Sequence, residues 1–323
     1  MNSIKKMMLS GALGCLISGM AYADGSSPQP VKPYWQDIQV VAVNKEKPRS
    51  SFMSYADRET ALTSRFEKSP YYSLLNGTWK FFFVDSYKDL PQNITDPSVN
   101  TSSWDDITVP GNWEVQGHGV AIYTNHGYEF KPRNPQPPLL PEANPVGVYR
   151  RDIEIPASWD NRDIYLHIGG AKSGLYVYLN GKEVGYSEDS KNPAEFLINK
   201  YLQPGKNVLT LKIFRWSTGS YLECQDFWRM SGIERDVFLW SQPKASIQDF
   251  RVVSTLDDTY TNGIFKLAVD LKNHTQETKN LNVGYELLDA KGNLVTSEAN
   301  DIWVSPASPQ TASFEYDLKN VAP

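Results

Sequence analysis

Cysteine is nearly missing from this 323-residue chain, which carries only Cys15 and Cys224. Cys15 falls inside a leader-like start, so a processed chain would keep Cys224 alone. That excludes an internal disulfide, and a single thiol without spaced Cys/His partners is no zinc site. Histidine is scarce too. His118, His126, His167 and His274 give a metal centre little to draw on, and His167 sits in a strand pattern where packing or solvation is the simpler reading. No block of like charge accompanies the net charge of −5, so no electrostatic footprint for nucleic acid or an anionic membrane is present. There is no repeat of fixed period. A nucleophile elbow, a phosphate-cradling glycine loop and histidine pairs at zinc spacing are all lacking. Stability must therefore come from packed cores, and 40% hydrophobic with 12% aromatic residues supplies them. The length suits two domains, because single domains usually run roughly 100–200 residues.

The first 23 residues have the three parts of a secretory signal: Lys5 and Lys6, an apolar stretch over 7–17, and Ala21-Tyr22-Ala23 as a small-x-small cleavage site. Ser10, Gly11 and Gly14 interrupt the apolar stretch, which is well short of the roughly 20 residues that span a bilayer. Lipoprotein processing at Cys15 is the alternative. The expectation is a periplasmic or secreted protein, free of the membrane once the signal is removed. Residues 24–48 are polar and proline-bearing, which predicts a surface arm.

From about residue 71 short β-rich runs recur between turn signals, at 77–84, 147–155, 163–168, 175–179, 183–186, 207–216 and 235–240. Leu175-Tyr-Val-Tyr-Leu179 followed by Asn180-Gly181 predicts a hairpin, since Asn-Gly supplies the two positive-φ residues of a type I′ turn. Leu209, Leu211 and Ile213 alternate with Thr210 and Lys212, as in a strand with one face on a core. Five prolines within 134–145 predict an extended surface loop. A second β block begins near residue 244, with strands expected at 247–256, 263–271, 281–288, 294–304 and 313–318. Five are fewer than the roughly seven of an immunoglobulin-like sandwich, so the expectation is a C-terminally truncated domain. The one helix-length amphipathic stretch, 59–75, is interrupted by Pro70. The fold class is all-β: a jelly-roll sandwich over 49–243, then an incomplete immunoglobulin-like sandwich over 244–323.

Glycoside hydrolysis needs two carboxylates flanking the scissile bond, roughly 5.5 Å apart when configuration is retained. The 37 acidic residues offer many pairs, none in a defensible acid and nucleophile signature. Two segments are polar and aromatic together where no fold rule requires it: 109–118 running on to Tyr123-Thr-Asn125, and 215–236, which contains Glu223-Cys-Gln-Asp-Phe-Trp-Arg229. Sugars present hydroxyls to carboxylates and amides, and apolar faces to aromatic rings. Asn125 and Asp226 beside Tyr123, Phe227 and Trp228 suit such a ligand. The competing reading is structural: tryptophans fill cores, and Asp226 pairs with a neighbour such as Arg229 or caps a turn.

These segments resemble the amino-terminal part of the glycoside hydrolase family 2 β-galactosidases. Pro110 to Trp113, Tyr123-Thr-Asn125, Glu142-Ala-Asn-Pro145 with Val148-Tyr149, Asn180-Gly181 with Gly185-Tyr186, Ser187-Glu-Asp-Ser190, Glu195-Phe196 and the block from Trp216 to Asp236 fall in the family's order. The resemblance covers about residue 49 to the end. It implies a jelly-roll "sugar-binding" domain, then an immunoglobulin-like one, with the catalytic glutamates on a barrel that these residues do not include. A barrel takes about 250 residues. No catalytic residue is therefore expected here. By motif match, Asn125 and Asp226 are the residues that reach a galactose, and Asp226 is a possible sodium ligand in an incomplete site. Magnesium is expected only with the barrel. The implied partners are galactose or a β-galactoside, the chain's own barrel and, in the full-length form, further copies in a homo-oligomer. Cys224 departs from the further acid that the family often has there. The rivals are a stand-alone carbohydrate-binding module, or the corresponding part of a β-glucuronidase or β-mannosidase.

Overall fold

The computed structural model describes residues 32–130 and 134–321. The expected signal, Cys15 and residues 24–31 of the expected arm lie outside them. The first sandwich pairs a seven-stranded antiparallel sheet with a four-stranded one. In the larger sheet the order is Ala42–Val43, Lys182–Ser187, Gly174–Leu179, Lys206–Phe214, Val146–Glu154, Gly77–Val84 and Asp105–Val109. In the smaller it is Ala194–Leu197, Arg162–Ile168, Val237–Pro243 and Tyr72–Leu74.

Because side chains alternate along a strand, each strand divides its residues between two cores. Trp79, Phe81, Tyr149, Val177, Leu209 and Leu211 point between the sheets, where Leu166, Phe196 and Leu239 meet them. Their sequence neighbours Val146, Val148, Tyr176 and Phe214 build a second cluster on the far side of the larger sheet. Covering both faces explains why Gly174–Leu179 reads as a continuous apolar run. Arg150, buried on that far side, donates to the carbonyls of Ile94 at 2.7 Å, Asp96 at 3.0 Å and Val99 at 3.2 Å, and so holds the covering loop.

The Asn180-Gly181 turn forms as its chemistry requires, with φ of 53° and 77°. Differences from the sequence reading are physical. The segment expected as a surface arm is threaded into the sandwich from Pro33 onward. Trp35 is buried, stacked on Phe214 at 5.0 Å and edge-on to Tyr87 at 5.1 Å, while Ala42–Val43 pairs with Lys182–Ser187 as an edge strand. A single Trp anchors a polar stretch that average composition classes as exposed. Tyr72–Leu74, Asp105–Val109 and Ala194–Leu197 also escape a reading by pattern, because three to five residues are too few to show period 2. In place of one helix over 59–75 the chain forms a short α-helix, Arg58–Leu62, and a 3-10 turn, Phe66–Lys68, before strand Tyr72–Leu74.

Five strands follow. Ala245–Leu256, Gly263–Asn273 and Gln310–Leu318 form one sheet, and Lys279–Leu288 with Leu294–Val304 the other. Leu267, Val269, Leu271, Val283, Val304 and Phe314 form the core between them. Three strands facing two leave the inner face of the first partly uncovered: Val252 sits opposite Leu267 yet remains 49% exposed. The two sandwiches touch through Ser50, whose N–H donates to Asp249 Oδ1 at 2.9 Å, and through His274 Nδ1 and Asp163 Oδ2 at 2.7 Å.

Candidate carbohydrate-binding face

Both segments singled out by composition meet in one two-stranded ribbon, Ile122–Thr124 antiparallel to Phe227–Arg229. The paired positions are Thr124 with Phe227, Tyr123 with Trp228 and Ile122 with Arg229. Asn125 and Asp226 are the next residues beyond this pairing, one on each strand. Alternation then sorts the side chains. Tyr123 and Trp228 lie on the outer face, their rings 5.6 Å apart and each more than half exposed. The Tyr123 hydroxyl donates to Asp226 Oδ1 at 2.8 Å, and this bond to a carboxylate pushes the Tyr123 phenol above its usual range. Asn125 Oδ1 is 2.8 Å from His126 Nδ1.

On the inner face, Arg229 is fully buried with its Nε 3.9 Å from Glu129 Oε2, and its Nη1 donates to the Glu223 carbonyl at 3.1 Å. The pairing of Asp226 with Arg229 considered from the sequence does not form; the ribbon places the two on opposite faces. Behind it, Arg215 donates to the carbonyls of Val120 at 2.8 Å and Arg229 at 3.1 Å, tying one strand end to the other. Arg215 is itself 3.6 Å from Glu114, whose carboxylate accepts two bonds from the Ser231 N–H, at 3.0 and 2.8 Å. Burial pushes the Glu114 carboxyl up and the Lys172 ammonium, packed 5.2 Å from the Phe227 ring, down. An exposed ribbon is thus held on a rigid, charged foundation, as a binding site requires.

Chemically the outer face offers a carboxylate, a carboxamide and two aromatic rings. Of residues 122–126 and 225–229 only Asp226 is acidic, so the ribbon's own residues supply no acid and nucleophile pair. Among the described residues no three His, Cys, Asp or Glu side chains converge as a metal site. With Oδ1 engaged by Tyr123, Asp226 brings one uncommitted oxygen, which does not by itself fit a sodium ion. Of the residues that build the foundation, Glu114 and Arg215 lie within the two segments singled out from sequence but were given no role there, and Glu129 lies outside them. Their signal is the inward parity of Arg229 in a strand whose outward residues are Asp226 and Trp228.

Fold and face together define a two-sandwich β-protein with a carbohydrate-suited ribbon at one end of its first sandwich. The chain belongs to the glycosyl hydrolases of family 2, whose sugar-binding domain matches residues 72–243. It is 37% identical over 294 residues to a β-galactosidase of Priestia megaterium, covering 90% of this chain and 28% of that protein. A β-galactosidase of Psychromonas ingrahamii is 36% identical over 262 residues, 81% of this chain and 24% of that one. The chain therefore spans about a quarter of the length of these relatives. A solved Bacteroides uniformis β-glucuronidase superposes on 77% of this chain and 28% of its own with a TM-score of 0.62 at 20% identity, which shows the shared fold.

Proposed function

We propose that this chain is the exported amino-terminal portion of a β-galactosidase, in which the ribbon positions a terminal β-D-galactoside for hydrolysis with retained configuration. The hydrogen bond from Tyr123 to Asp226, which joins the two segments beside exposed Trp228 with Asn125 two residues on, carries the reading. Asp226 accepts hydroxyl protons, Asn125 both donates and accepts, and the rings cover the apolar sugar face. The acid and nucleophile glutamates belong to a barrel outside these 323 residues, as does magnesium. Asp226 contributes to a sodium site only together with ligands from that barrel. The sequence of the first 23 residues supports export to the periplasm or beyond, and the full-length protein is proposed to form homo-oligomers.

Hydrolysis of a chromogenic β-galactoside by the chain alone, and mixed with a barrel-containing fragment of a related enzyme, tests this reading. Activity only in the mixture, lost with Asp226→Ala, is expected. Activity of the chain alone would overturn the assignment of the catalytic carboxylates elsewhere. Galactose binding without activity in either case would favour a stand-alone binding module, and preferential binding of glucuronate or mannose would favour the neighbouring glycosidases.

A further inference from the structure

A cleft of about 290 Å³ lies on the outer face of the four-stranded sheet, beneath the chain that runs from Lys45 to Phe52. It shares no lining residue with the ribbon. Its floor is a preformed charge network. Glu195 accepts two bonds from the Arg49 fork, each 2.8 Å, one from Trp240 Nε1 at 3.1 Å and one from His167 Nδ1 at 2.8 Å. Burial alone would raise the Glu195 carboxyl, but His167 and Arg49 outweigh it and hold the group below its usual range. An ionised Glu195 only accepts, so His167 Nδ1 must carry a proton. Nε2 is then the ring's free polar atom. No described residue donates to it, and the ring lines the cleft.

The rest of the lining narrows the ligand. Phe238 stacks under the imidazole at 4.1 Å with planes 13° apart, and Phe52 and Phe66 supply apolar walls. The rim charges offset: Lys45 and Lys47 stand against Glu46 and Asp189, with Lys45 Nζ 4.0 Å from Asp189. With Arg49 spent on Glu195, nothing selects an anion. The volume is at the lower end of the roughly 300–1,000 Å³ of ligand pockets, enough for one small ring and too little for a chain of them. Hydrogen-bonded networks of this kind hold their members in one geometry, so His167 Nε2 is positioned before any ligand arrives.

We propose that this cleft is a second carbohydrate site, separate from the ribbon, that takes one neutral hexose unit, with a sugar hydroxyl hydrogen-bonded to His167 Nε2 and the ring's apolar face against Phe52 and Phe66. Nothing in the argument depends on the ribbon, so the two sites stand or fall apart. The test is a titration of the whole chain with galactose, glucose, glucuronate and inorganic phosphate, followed by NMR at the His167 imidazole and the Trp228 indole. Saturable shifts of His167 with a neutral hexose are expected. They should weaken at least tenfold in Ser51→Trp, which fills the cleft from an exposed position without removing a core group, while Asp226→Ala leaves them in place. An unshifted His167 at saturating hexose overturns the proposal. So do shifts that survive Ser51→Trp, or a response to glucuronate or phosphate and not to hexose. Loss of the Trp228 response alone would count against the ribbon and not against this cleft.

Discussion

The two sandwiches use the same β-architecture with unequal cores. In the first, strands are covered on both faces, and Trp35, Trp79, Trp113, Trp159 and Trp240 are almost wholly buried. In the second, one small cluster lies between three strands and two, Leu281, Tyr285 and Leu287 are only half-buried, and Trp303 is exposed. Buried apolar area stabilises at about 25 cal/mol per Å², so the first sandwich must be the more stable unit. The candidate sugar face stands on it. Sites that need fixed geometry belong on elements whose neighbours cannot move, and the ribbon's foundation of Arg215, Glu114 and Arg229 is built into that first core.

Truncations sharpen this contrast most strongly. Trp35→Ala should cost about 3–5 kcal/mol, the range for a buried Trp, and lower the denaturation midpoint of the whole first sandwich. An arm that merely lay on the surface would show almost no change. Phe314→Ala in the second core should cost less, about 2–3 kcal/mol, because the looser surroundings can collapse into the space. Amide exchange should then quicken in Gly263–Asn273 and Gln310–Leu318 while Gly174–Leu179 stays protected. Equal protection losses in both regions would show that the sandwiches unfold as one.

A finer contrast lies inside the first sandwich, between two buried carboxylates. Glu195 faces Arg49 and His167. Glu188 accepts only from neutral groups: the Tyr186 hydroxyl at 2.7 Å, Thr218 Oγ1 at 2.8 Å and the Gly219 N–H at 2.7 Å. Burial therefore wins at Glu188 and pushes it up, whereas Glu195 is held down. Glu195 binds its proton less readily folded than unfolded. Its contribution is full above the unfolded value, about 4.3, and is lost as pH falls through the folded one. Glu188 has the opposite sign: its contribution is full below about 4.3 and is lost as pH rises through its folded value. Glu195→Gln leaves Arg49 buried without its counter-charge and should cost about 3 kcal/mol at neutral pH, with the deficit shrinking in acid. Glu188→Gln should cost about 1 kcal/mol or less, with its deficit growing in acid. Urea denaturation of both variants at pH 7 and pH 4 checks the two signs together.

How much of this was legible in sequence follows from the range of each signal. Long strands with local alternation, such as Lys206–Phe214 and Gly263–Asn273, read correctly because the pattern lies within the segment. The Asn180-Gly181 hairpin read correctly because two adjacent residues set the turn. The ribbon did not, although Asn125 and Asp226 were both picked out, since bringing their segments together depends on pairing across about a hundred residues. The foundation residues were hidden for the same reason: a buried Glu114 or Glu129 looks in sequence like any surface acid. Trp35 went unread because one anchor in a polar stretch has no period.

The smallest effect on stability belongs to the residue with the largest proposed role. Asp226 is exposed and bonded by one exposed hydroxyl, so Asp226→Ala should change stability by no more than about 0.5 kcal/mol, the usual span for surface substitutions. Tyr123→Phe removes the same hydrogen bond but keeps the carboxylate, and should likewise leave stability unchanged. Their consequences for galactose then separate. Loss of the carboxylate should abolish the ligand-induced change in Trp228 fluorescence, whereas loss of the hydroxyl should weaken it only severalfold, because the Asp226 carboxylate remains. If both variants bound as wild type while Trp35→Ala abolished binding, the ribbon would be reduced to a structural edge. The sugar would then have to be sought elsewhere on the first sandwich.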